Sequence, residues 1–376
     1  MSTSGPTSPP KSVSPKPVSP KPVSPKAASP TSAAASPPPA ALDVTVQGDV
    51  TTTLHPELEA ETYTESAYSE SEVGSYTTSL SSSVMHYRFE NGRRYHSQSM
   101  TDTNYFLPND EAENDRLDLN HHVMFLIQKG KLHAAPLKDP QRILDVGTGT
   151  GIWAIEMADE YPMAHVVGND LSPIQPRWVP PNLTFEVDDV EKEWTHKPDS
   201  FDLVYIRYMV GSIKDWPKLL KQAYTAVKPG GYIELLEPDS TLRSDDGSFP
   251  EDSALAEWGR LFTGGARGIG APLDDTPKFS DYLRDAGFTD ISREIFKLPN
   301  SPWAKDAHMK EVGGYQMAAF IEGLEALSLF FFTTVHGMSV PEIEILLAQV
   351  RKDMRNKAIH TYFHLFRYVA RKPETA

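Results

Sequence analysis

Hydrophobic and polar positions change their spacing along the chain, and this change divides it into parts. Up to residue 84 apolar side chains are sparse, so little burial is available to offset the entropy of ordering. The stretch "ENDRLDLNHHVMFLIQKGKL" then has apolar residues at helical spacing after acids that suit a helix start. The pattern predicts a disordered tail at 1–84 and a folded domain at 85–376 that begins with a helical cap at 85–140.

From residue 142 onward, strand and helix patterns alternate, which predicts a parallel sheet with helices on both faces. Helices are expected around 151–160 and 215–227. Strands are expected at 142–147, 164–169, 183–187, 201–206 and 230–236. The most apolar window, "MAAFIEGLEALSLFFFTTV", is interrupted by Glu322 and Glu325, so it predicts a buried helix rather than a membrane span.

Composition adds detail to the amino-terminal tail. Residues 1–42 hold 12 of the 32 prolines and four lysines but no acid, whereas residues 43–82 hold eight acids and no Lys or Arg. Proline-rich polar sequence favours polyproline II character, and the tail is interpreted as a solvated spacer. Ser14, Ser19 and Ser24 stand in Ser-Pro-Lys units, which makes phosphorylation the alternative role.

Charge and cysteine content exclude some functions. The formal net charge is −15, which gives no reason to expect direct nucleic-acid binding, because that needs a basic surface. The chain has no cysteine, so thiolate chemistry and zinc–thiolate sites are impossible. The start "MSTSGPTSPP" has no apolar segment, which predicts a protein that is not secreted. His121 and His122 are adjacent helix positions pointing about 100° apart, so they are interpreted as structural and no metal site is predicted.

A glycine-rich loop follows the first strand of the alternating part. The strand "RILDV" runs into "GTGTG" at 147–151, just before a predicted helix. Glycine lets the backbone approach a ligand closely, and the helix N-terminus adds a partial positive charge. A dinucleotide fingerprint requires G-x-G-x-x-G, but here the third glycine comes one residue early. G-x-G-x-G preceded by Asp145 favours an S-adenosylmethionine site over a nicotinamide site.

The next two strands end in carboxylates suited to the same cofactor. Asp170 ends the second strand, nineteen residues after Gly151, and is predicted to accept hydrogen bonds from the ribose hydroxyls. Its alternative role is a helix N-cap for "LSP". The third strand ends in "VDDVE", where Asp189 is predicted to accept from the adenine amino group beside the backbone of Val190. Asp188 is the alternative, since the sequence leaves the register open by one residue.

The fourth and fifth strands complete the series. "SFDLVYIRYM" carries Arg207 at its carboxyl end, where ligands bind in open α/β sheets. "AVKPGGYIELLE" then closes a helix and opens the fifth strand. The residues predicted to hold the cofactor are Asp145, Gly147, Thr148, Gly149, Gly151, Asp170, Leu171, Asp188, Asp189, Val190 and Arg207.

This series resembles the class I S-adenosylmethionine-dependent methyltransferases. Within them, "ENGRRYHSQSMTDTNYFLPNDEAENDRLDLNHH" and the core stretch from "LDVGTGTGIW" to "VDDVEKEW" are similar to the fungal LaeA-like methyltransferases, velvet-complex partners that regulate secondary metabolism and development. The similarity runs from about Tyr87 to Lys372 and leaves the tail outside.

The resemblance implies a Rossmann-like α/β fold with a seven-stranded, mostly parallel sheet whose last strand is antiparallel. "TDISREIFKLP" at 289–299 and "YFHLFRYVAR" at 362–371 are candidates for the two remaining strands. Between them, residues 300–360 are predicted to form a helical insert that covers the substrate side or offers a partner surface.

The methyl acceptor is left open by the sequence. Methyl transfer from a sulfonium needs alignment above all, and a base only when the nucleophile arrives protonated. The fourth strand ends in "IRYM" and lacks the "DPPY"-like end typical of nucleobase amines. Candidate substrate-side groups are Tyr95, His96, Arg207 and Tyr208. His96 is either a base or a surface or core histidine, and Arg207 either binds a carboxylate or pairs with a local acid.

Four functional hypotheses follow. The first is an active methyltransferase that regulates fungal secondary metabolism from the nucleus or cytoplasm through protein partners, either a velvet-type protein or a second methyltransferase subunit. The second is a cofactor-binding scaffold with little turnover, and the third is a small-molecule methyltransferase of a biosynthetic pathway. A nicotinamide oxidoreductase is disfavoured by the glycine spacing. Nuclear location rests on the resemblance, because the sequence shows no clustered basic signal.

Overall fold

The computed structural model describes most of the chain from residue 42 onward. The described residues are 42–56, 58–60, 88–90, 92–95 and 107–374. Residues 1–41 and 61–87, which make up most of the predicted tail, lie outside them.

Eleven strands are present in the described residues, nine of them in one sheet. They are β1 (Asp43–Gln47), β2 (Val50–Leu54), β3 (Arg88–Glu90), β4 (Arg93–Tyr95), β5 (Arg142–Val146), β6 (His165–Asp170), β7 (Leu183–Val187), β8 (Phe201–Arg207), β9 (Val227–Arg243), β10 (Thr289–Pro299) and β11 (Tyr362–Arg371). The order in the large sheet is β1-β2-β10-β11-β9-β8-β5-β6-β7.

The predicted class I architecture is confirmed. β5 to β9 pair in parallel, and β11 is antiparallel to both of its neighbours, β9 and β10. All seven predicted strands are present, although β9 is longer than expected and extends to Arg243. The carboxyl ends of β5, β6, β7 and β8 therefore meet at one edge, which is where a ligand is expected.

Two further strands contradict the predicted disorder of residues 43–54. "DVTVQ" and "VTTTL" form an antiparallel hairpin around Gly48, whose φ is 66°. β2 then pairs in parallel with β10, with Val50 opposite Ile291. The segment is rich in β-branched residues, but the partner strand lies more than 200 residues away. Composition alone therefore could not predict β1 and β2, because their pairing depends on β10, which is distant in the chain.

Seven α-helices accompany the strands in the described part. They are α1 (Glu111–Ile127), α2 (Ile152–Glu160), α3 (Trp216–Ala226), α4 (Ala254–Gly268), α5 (Phe279–Ala286), α6 (Ala307–Thr334) and α7 (Val340–Met354). α1 begins after Asp110, whose side chain accepts from the backbone N–H of Glu113 at 3.1 Å. The cap predicted at 85–140 is helical only in part, because β3 and β4 form a small hairpin ahead of α1.

The helices form two layers on the sheet and a separate cover. α3 and α5 bury Leu219, Leu220 and Leu283 on one face, and α2 buries Trp153 and Met157 on the other. A further core cluster joins α1, α4, α6 and α7. α6 and α7 lie within the insert predicted at 300–360, whereas α4, a third helix of this cover, was not predicted.

α6 is long and apolar enough to span a membrane by length and composition. Its apolar side chains, including Leu324, Phe331 and Phe332, are buried in the core shared with α4 and α7. The burial accounts for the apolar sequence of this helix, as predicted for a core helix.

Candidate active site

One pocket lies at the carboxyl ends of β5, β6, β7 and β8 and is closed on another side by α1. The predicted residues that line it are Gly147, Thr148, Gly149, Asp170, Leu171, Asp188, Asp189, Val190, Arg207 and Tyr208. Asp145 and Gly151 do not line the pocket, although Asp145 contacts the lining residue Thr148. The strand ends thus bring nearly all of the predicted cofactor residues to one place.

The loop at 147–151 has a conformation that requires glycine. Gly147, Gly149 and Gly151 have φ of 69°, 59° and 82°. A β-carbon on Gly147 would lie 2.2 Å from Sδ of Met209, and one on Gly151 would lie 2.3 Å from the ring of Phe185. Behind the loop, Thr148 Oγ1 donates to Oδ2 of the buried Asp145 at 2.6 Å. The loop is therefore held from behind and has no room for side chains at two of its glycines.

Asp170 links this loop to the second strand. Its Oδ2 accepts from the backbone N–H of Gly149 at 2.9 Å, and its Oδ1 accepts from that of Ser172 at 2.9 Å. Each carboxylate oxygen can accept a second hydrogen bond, as the ribose contact requires. Burial raises the pKa of Asp170 to about 6. Residues 171–182 contain no helix, so the alternative role of Asp170 as a helix N-cap is wrong.

Asp189 and Asp188, between which the sequence could not decide for the adenine contact, differ in their burial and in their hydrogen bonds. Asp189 is buried, and its Oδ1 accepts from the backbone N–H of Glu191 at 3.1 Å. Its Oδ2 has no hydrogen-bond partner in the described chain, although the Lys192 ammonium lies 3.7 Å away. Asp188 is half-buried and accepts from the backbone N–H of Asp189 at 2.8 Å. The unsatisfied acceptor favours Asp189 for an adenine amino group.

Arg207 is positioned by a histidine rather than by an acid. Its Nη1 donates to Nδ1 of His121 at 2.9 Å, which leaves the imidazole proton on Nε2 to be donated to Glu156 Oε2 at 2.9 Å. Burial lowers the pKa of His121, which favours the neutral ring that this hydrogen-bond pattern requires. The positive charge of Arg207 also opposes the effect of burial, which raises the pKa of Asp145 to about 6. His121 lines the pocket, a role that the sequence analysis missed.

The turn after β8 is held by another residue that sequence reasoning missed. Tyr208 has a φ of 57°, and the backbone N–H groups of Met209 and Val210 donate to the two carboxylate oxygens of Glu237 at 2.9 and 3.0 Å. Glu237 is fully buried, and burial raises its pKa to about 8. No local sequence signal marks this residue, because its role depends on β9 lying beside β8.

The two substrate-side candidates of the amino-terminal block, Tyr95 and His96, are not placed at the pocket by the described residues. Tyr95 is buried in β4 and does not line the pocket, and His96 lies outside the described residues. The block reaches the pocket through Arg94, whose Nε donates to Oδ1 of Asn109 at 3.2 Å. Asn109 in turn donates to Ser172 Oγ at 3.1 Å, next to the Asp170 contact. The pocket residues of this region that the sequence did not predict are therefore Asn109 and, on α1, Leu117, Asn120 and His121.

These features fit S-adenosylmethionine. Asp170 offers acceptors for the ribose, Asp189 has an unsatisfied buried oxygen for the adenine amino group, and Gly149 lines the pocket in the left-handed conformation. Among the described residues no group of three or more His, Asp or Glu side chains is arranged to hold a metal ion.

Comparison with known proteins agrees with this site. A family model described as a methyltransferase domain matches residues 119–293. The chain is 44% identical over 299 residues to methyltransferase pytC of Aspergillus terreus, which covers 79% of this chain and 91% of that protein. It is 39% identical over 292 residues to the secondary metabolism regulator LAE1 of Cochliobolus heterostrophus, covering 76% and 94%. The chain belongs to the LaeA-like fungal methyltransferases.

A third LaeA-like relative carries a more specific name. Protein-methionine methyltransferase laeA of Emericella nidulans is 39% identical over 289 residues, covering 76% of each chain. As a LaeA-like methyltransferase, the present chain transfers methyl groups and uses S-adenosylmethionine. Which residue touches which part of the cofactor stays a prediction.

Proposed function

We propose that this methyltransferase modifies a protein side chain, with a methionine thioether as the acceptor, and thereby regulates fungal secondary metabolism together with protein partners. The observation that carries the acceptor class is the state of His121. In the described part of the chain it is the only imidazole that lines the pocket, and both of its ring nitrogens are engaged, by Arg207 and by Glu156.

Because both ring nitrogens of His121 are hydrogen-bonded, this imidazole is not free to act as a base. Such a site suits an acceptor whose nucleophilic atom carries no proton. When bound, S-adenosylmethionine supplies an electrophilic methyl group. A thioether has a free lone pair and no proton to lose, so the chain needs to supply alignment and no base. Asp170, Asp189 and the turn held by Glu237 are the groups that would supply this alignment. The name of the Emericella nidulans relative supports the same acceptor.

One thioether of this chain already lies at the pocket. Met209 lines it, and its Sδ packs against Gly147. Methylation of the chain itself and methylation of a partner are therefore both compatible with the proposed acceptor class, and peptide mapping separates them.

The experiment supplies labelled methyl groups to the purified protein, alone and in a fungal extract. We expect label in protein, on methionine, and none with Gly149→Glu, which places a side chain in the glycine loop. Label at Met209 that is lost in Met209→Leu would assign self-methylation. Label confined to small molecules would support the biosynthetic alternative, and cofactor binding without any transfer would support the scaffold alternative.

Regulation through partners is supported by two exposed apolar side chains, Met163 in the turn between α2 and β6 and Trp178 in the segment before β7, which are together called the apolar corner. Their side chains are 86% and 94% exposed. Asn182 Nδ2 donates to the carbonyls of Ala158, Tyr161 and Ala164, which fixes the turn that carries Met163. Asp159 and Glu160 lie exposed beside this turn. We propose that the corner binds a protein with an apolar cleft and a basic rim.

The corner connects to the cofactor pocket along the chain. Leu171, Ser172 and Ile174 line the pocket, and Gln175 Nε2 donates to the carbonyl of Gly149 at 2.7 Å. A partner on Trp178 would therefore act three residues from a contact with the glycine loop. We further propose a nuclear or cytoplasmic location, where a regulator that acts on protein partners would meet them.

A further inference from the structure

Asn120 carries a buried amide that lacks a partner. It lies in α1, is 6% exposed and lines the pocket. Its Nδ2 has no hydrogen-bond partner among the described residues. A buried amide N–H group left unpaired costs free energy, so a group at the wall of a binding pocket is expected to be satisfied by what the pocket holds.

The position of Asn120 shows which part of the pocket it serves. Leu117, one turn earlier, has its Cδ1 3.5 Å from the point that a β-carbon on Gly149 would occupy. His121, the next residue, accepts from Arg207. Helix residues three and four apart share a face, so this face of α1 is directed towards the glycine loop and the end of β8.

The chemistry of this position selects an anionic oxygen. An amide nitrogen donates and does not accept, so its ligand atom is an acceptor. Arg207 adds a permanent positive charge to the same pocket wall, with one of its five N–H groups used for His121. A donor beside a guanidinium favours a carboxylate over a neutral carbonyl. The cofactor carries one carboxylate, on its amino-acid moiety.

We propose that Asn120, together with Arg207, binds the carboxylate of the amino-acid moiety of S-adenosylmethionine. Asn120 thereby distinguishes the cofactor from its decarboxylated form. The assignment depends on the cofactor and is independent of the methyl acceptor proposed above.

The test uses two ligands that differ by this one group, S-adenosylhomocysteine and its decarboxylated analogue, neither of which donates a methyl group. Calorimetry is done on wild type, Asn120→Ala and Asn120→Asp. We expect Asn120→Ala to bind S-adenosylhomocysteine about tenfold more weakly, equivalent to about 1.4 kcal/mol, and the decarboxylated analogue unchanged. Asn120→Asp replaces the donor with a negative charge, so it should reverse the preference between the two ligands.

Asn114→Ala is the matched control, because Asn114 lies in the same helix, is half-buried and does not line the pocket. It should bind both ligands as wild type does. Equal weakening of both ligands by Asn120→Ala would overturn the proposal and leave Asn120 a packing residue. Unchanged affinity for both ligands would overturn it too.

Discussion

The Asp170 carboxylate accepts a 2.9 Å hydrogen bond from the backbone nitrogen of Gly149. This bond joins the end of the second strand of the methyltransferase core to the loop after the first. Two elements that would bind neighbouring parts of the cofactor are therefore set against each other before any ligand enters. Such preorganisation reduces the ordering cost of binding.

Asp170→Ala should lower the affinity for S-adenosylmethionine about a hundredfold, or about 3 kcal/mol, because it removes the ribose acceptor and a support of the loop. Calorimetry measures the change. Asp159→Ala removes an exposed acid of α2 and should bind normally. Wild-type affinity in Asp170→Ala would contradict the ribose assignment.

Cofactor affinity should fall as the pH drops below about 6. Burial raises the pKa of both Asp145 and Asp170 to about 6, above the usual 3.8, so the empty site favours the protonated forms in acid. Asp170 must be ionised to accept from the ribose hydroxyls. Below pH 6 the empty site holds a proton on Asp170, and the cofactor can bind only after that proton is released. The release lowers the affinity by up to about tenfold for each pH unit below 6. Calorimetry from pH 5 to pH 8 tests this.

Asp145 and Asp170 also affect the unfolding free energy of the unliganded protein. Because their pKa values are raised on folding, their stabilising contribution is fully present below about pH 4 and is lost as the pH rises through 6. The rise in Tm on adding S-adenosylhomocysteine should therefore be larger at pH 7.5 than at pH 5.5. Asp170→Asn should flatten this dependence, and an equal dependence in that variant would assign the titration to another group.

Gly151→Ala should be much more destabilising than Gly247→Ala. Both residues have positive φ, 82° and 73°, but a β-carbon at 151 meets the ring of Phe185 at 2.3 Å, whereas at 247 it meets nothing within 4 Å. We expect a loss of about 1 kcal/mol in unfolding free energy at 247 and about 2–5 kcal/mol at 151, where overpacking adds to strain. Chemical denaturation measures both, and Phe185→Leu should restore part of the loss at 151.

Asp189→Ala should weaken cofactor binding about tenfold, and Asp188→Ala should have a much smaller effect, because Asp189 has the unsatisfied buried oxygen. S-inosylhomocysteine, which lacks the adenine amino group, supplies the control ligand. Wild type should prefer S-adenosylhomocysteine to it, and Asp189→Ala should lose that preference. If Asp188→Ala loses it instead, the register of the adenine contact is shifted by one residue.

Trp178→Ala should disrupt partner binding and leave cofactor affinity intact. A photo-crosslinking amino acid at position 178 identifies the partner in the fungus, and the purified partner is then titrated against each variant. We expect at least a tenfold loss with Trp178→Ala, since exposed tryptophans are frequent interface anchors. Ile345→Ala, which removes a 63% exposed side chain of α7, is the control. Equal affinity of the partner for both variants would contradict the docking site.

The sequence predicted the parts of the site that lie next to strand ends. Asp145, Asp170 and Asp189 stand at or just after the ends of apolar runs, and Asp145 precedes the glycine loop, so their common edge follows from the parallel sheet. The bounds of β7, β10 and β11 are also as predicted. Each of these features is set by the residues of one short segment, so the hydrophobic pattern of that segment predicts it.

The missed residues depend on contacts between distant segments. Glu237 matters because β9 lies beside β8, and Asn120 because α1 crosses the pocket. The hairpin of β1 and β2 needs the edge of β10. A side chain whose partner lies in another strand or helix looks in the sequence like any other polar residue, so its role appears only in the folded chain.

The exposure of Trp178 gives the protein an optical reporter of its own. Trp153, Trp216, Trp258 and Trp303 are at most 3% exposed, and Trp194 is partly buried. Long-wavelength emission and acrylamide quenching should therefore come mainly from Trp178. An occupied corner would shift that emission to shorter wavelength, so association can be followed without attaching any dye.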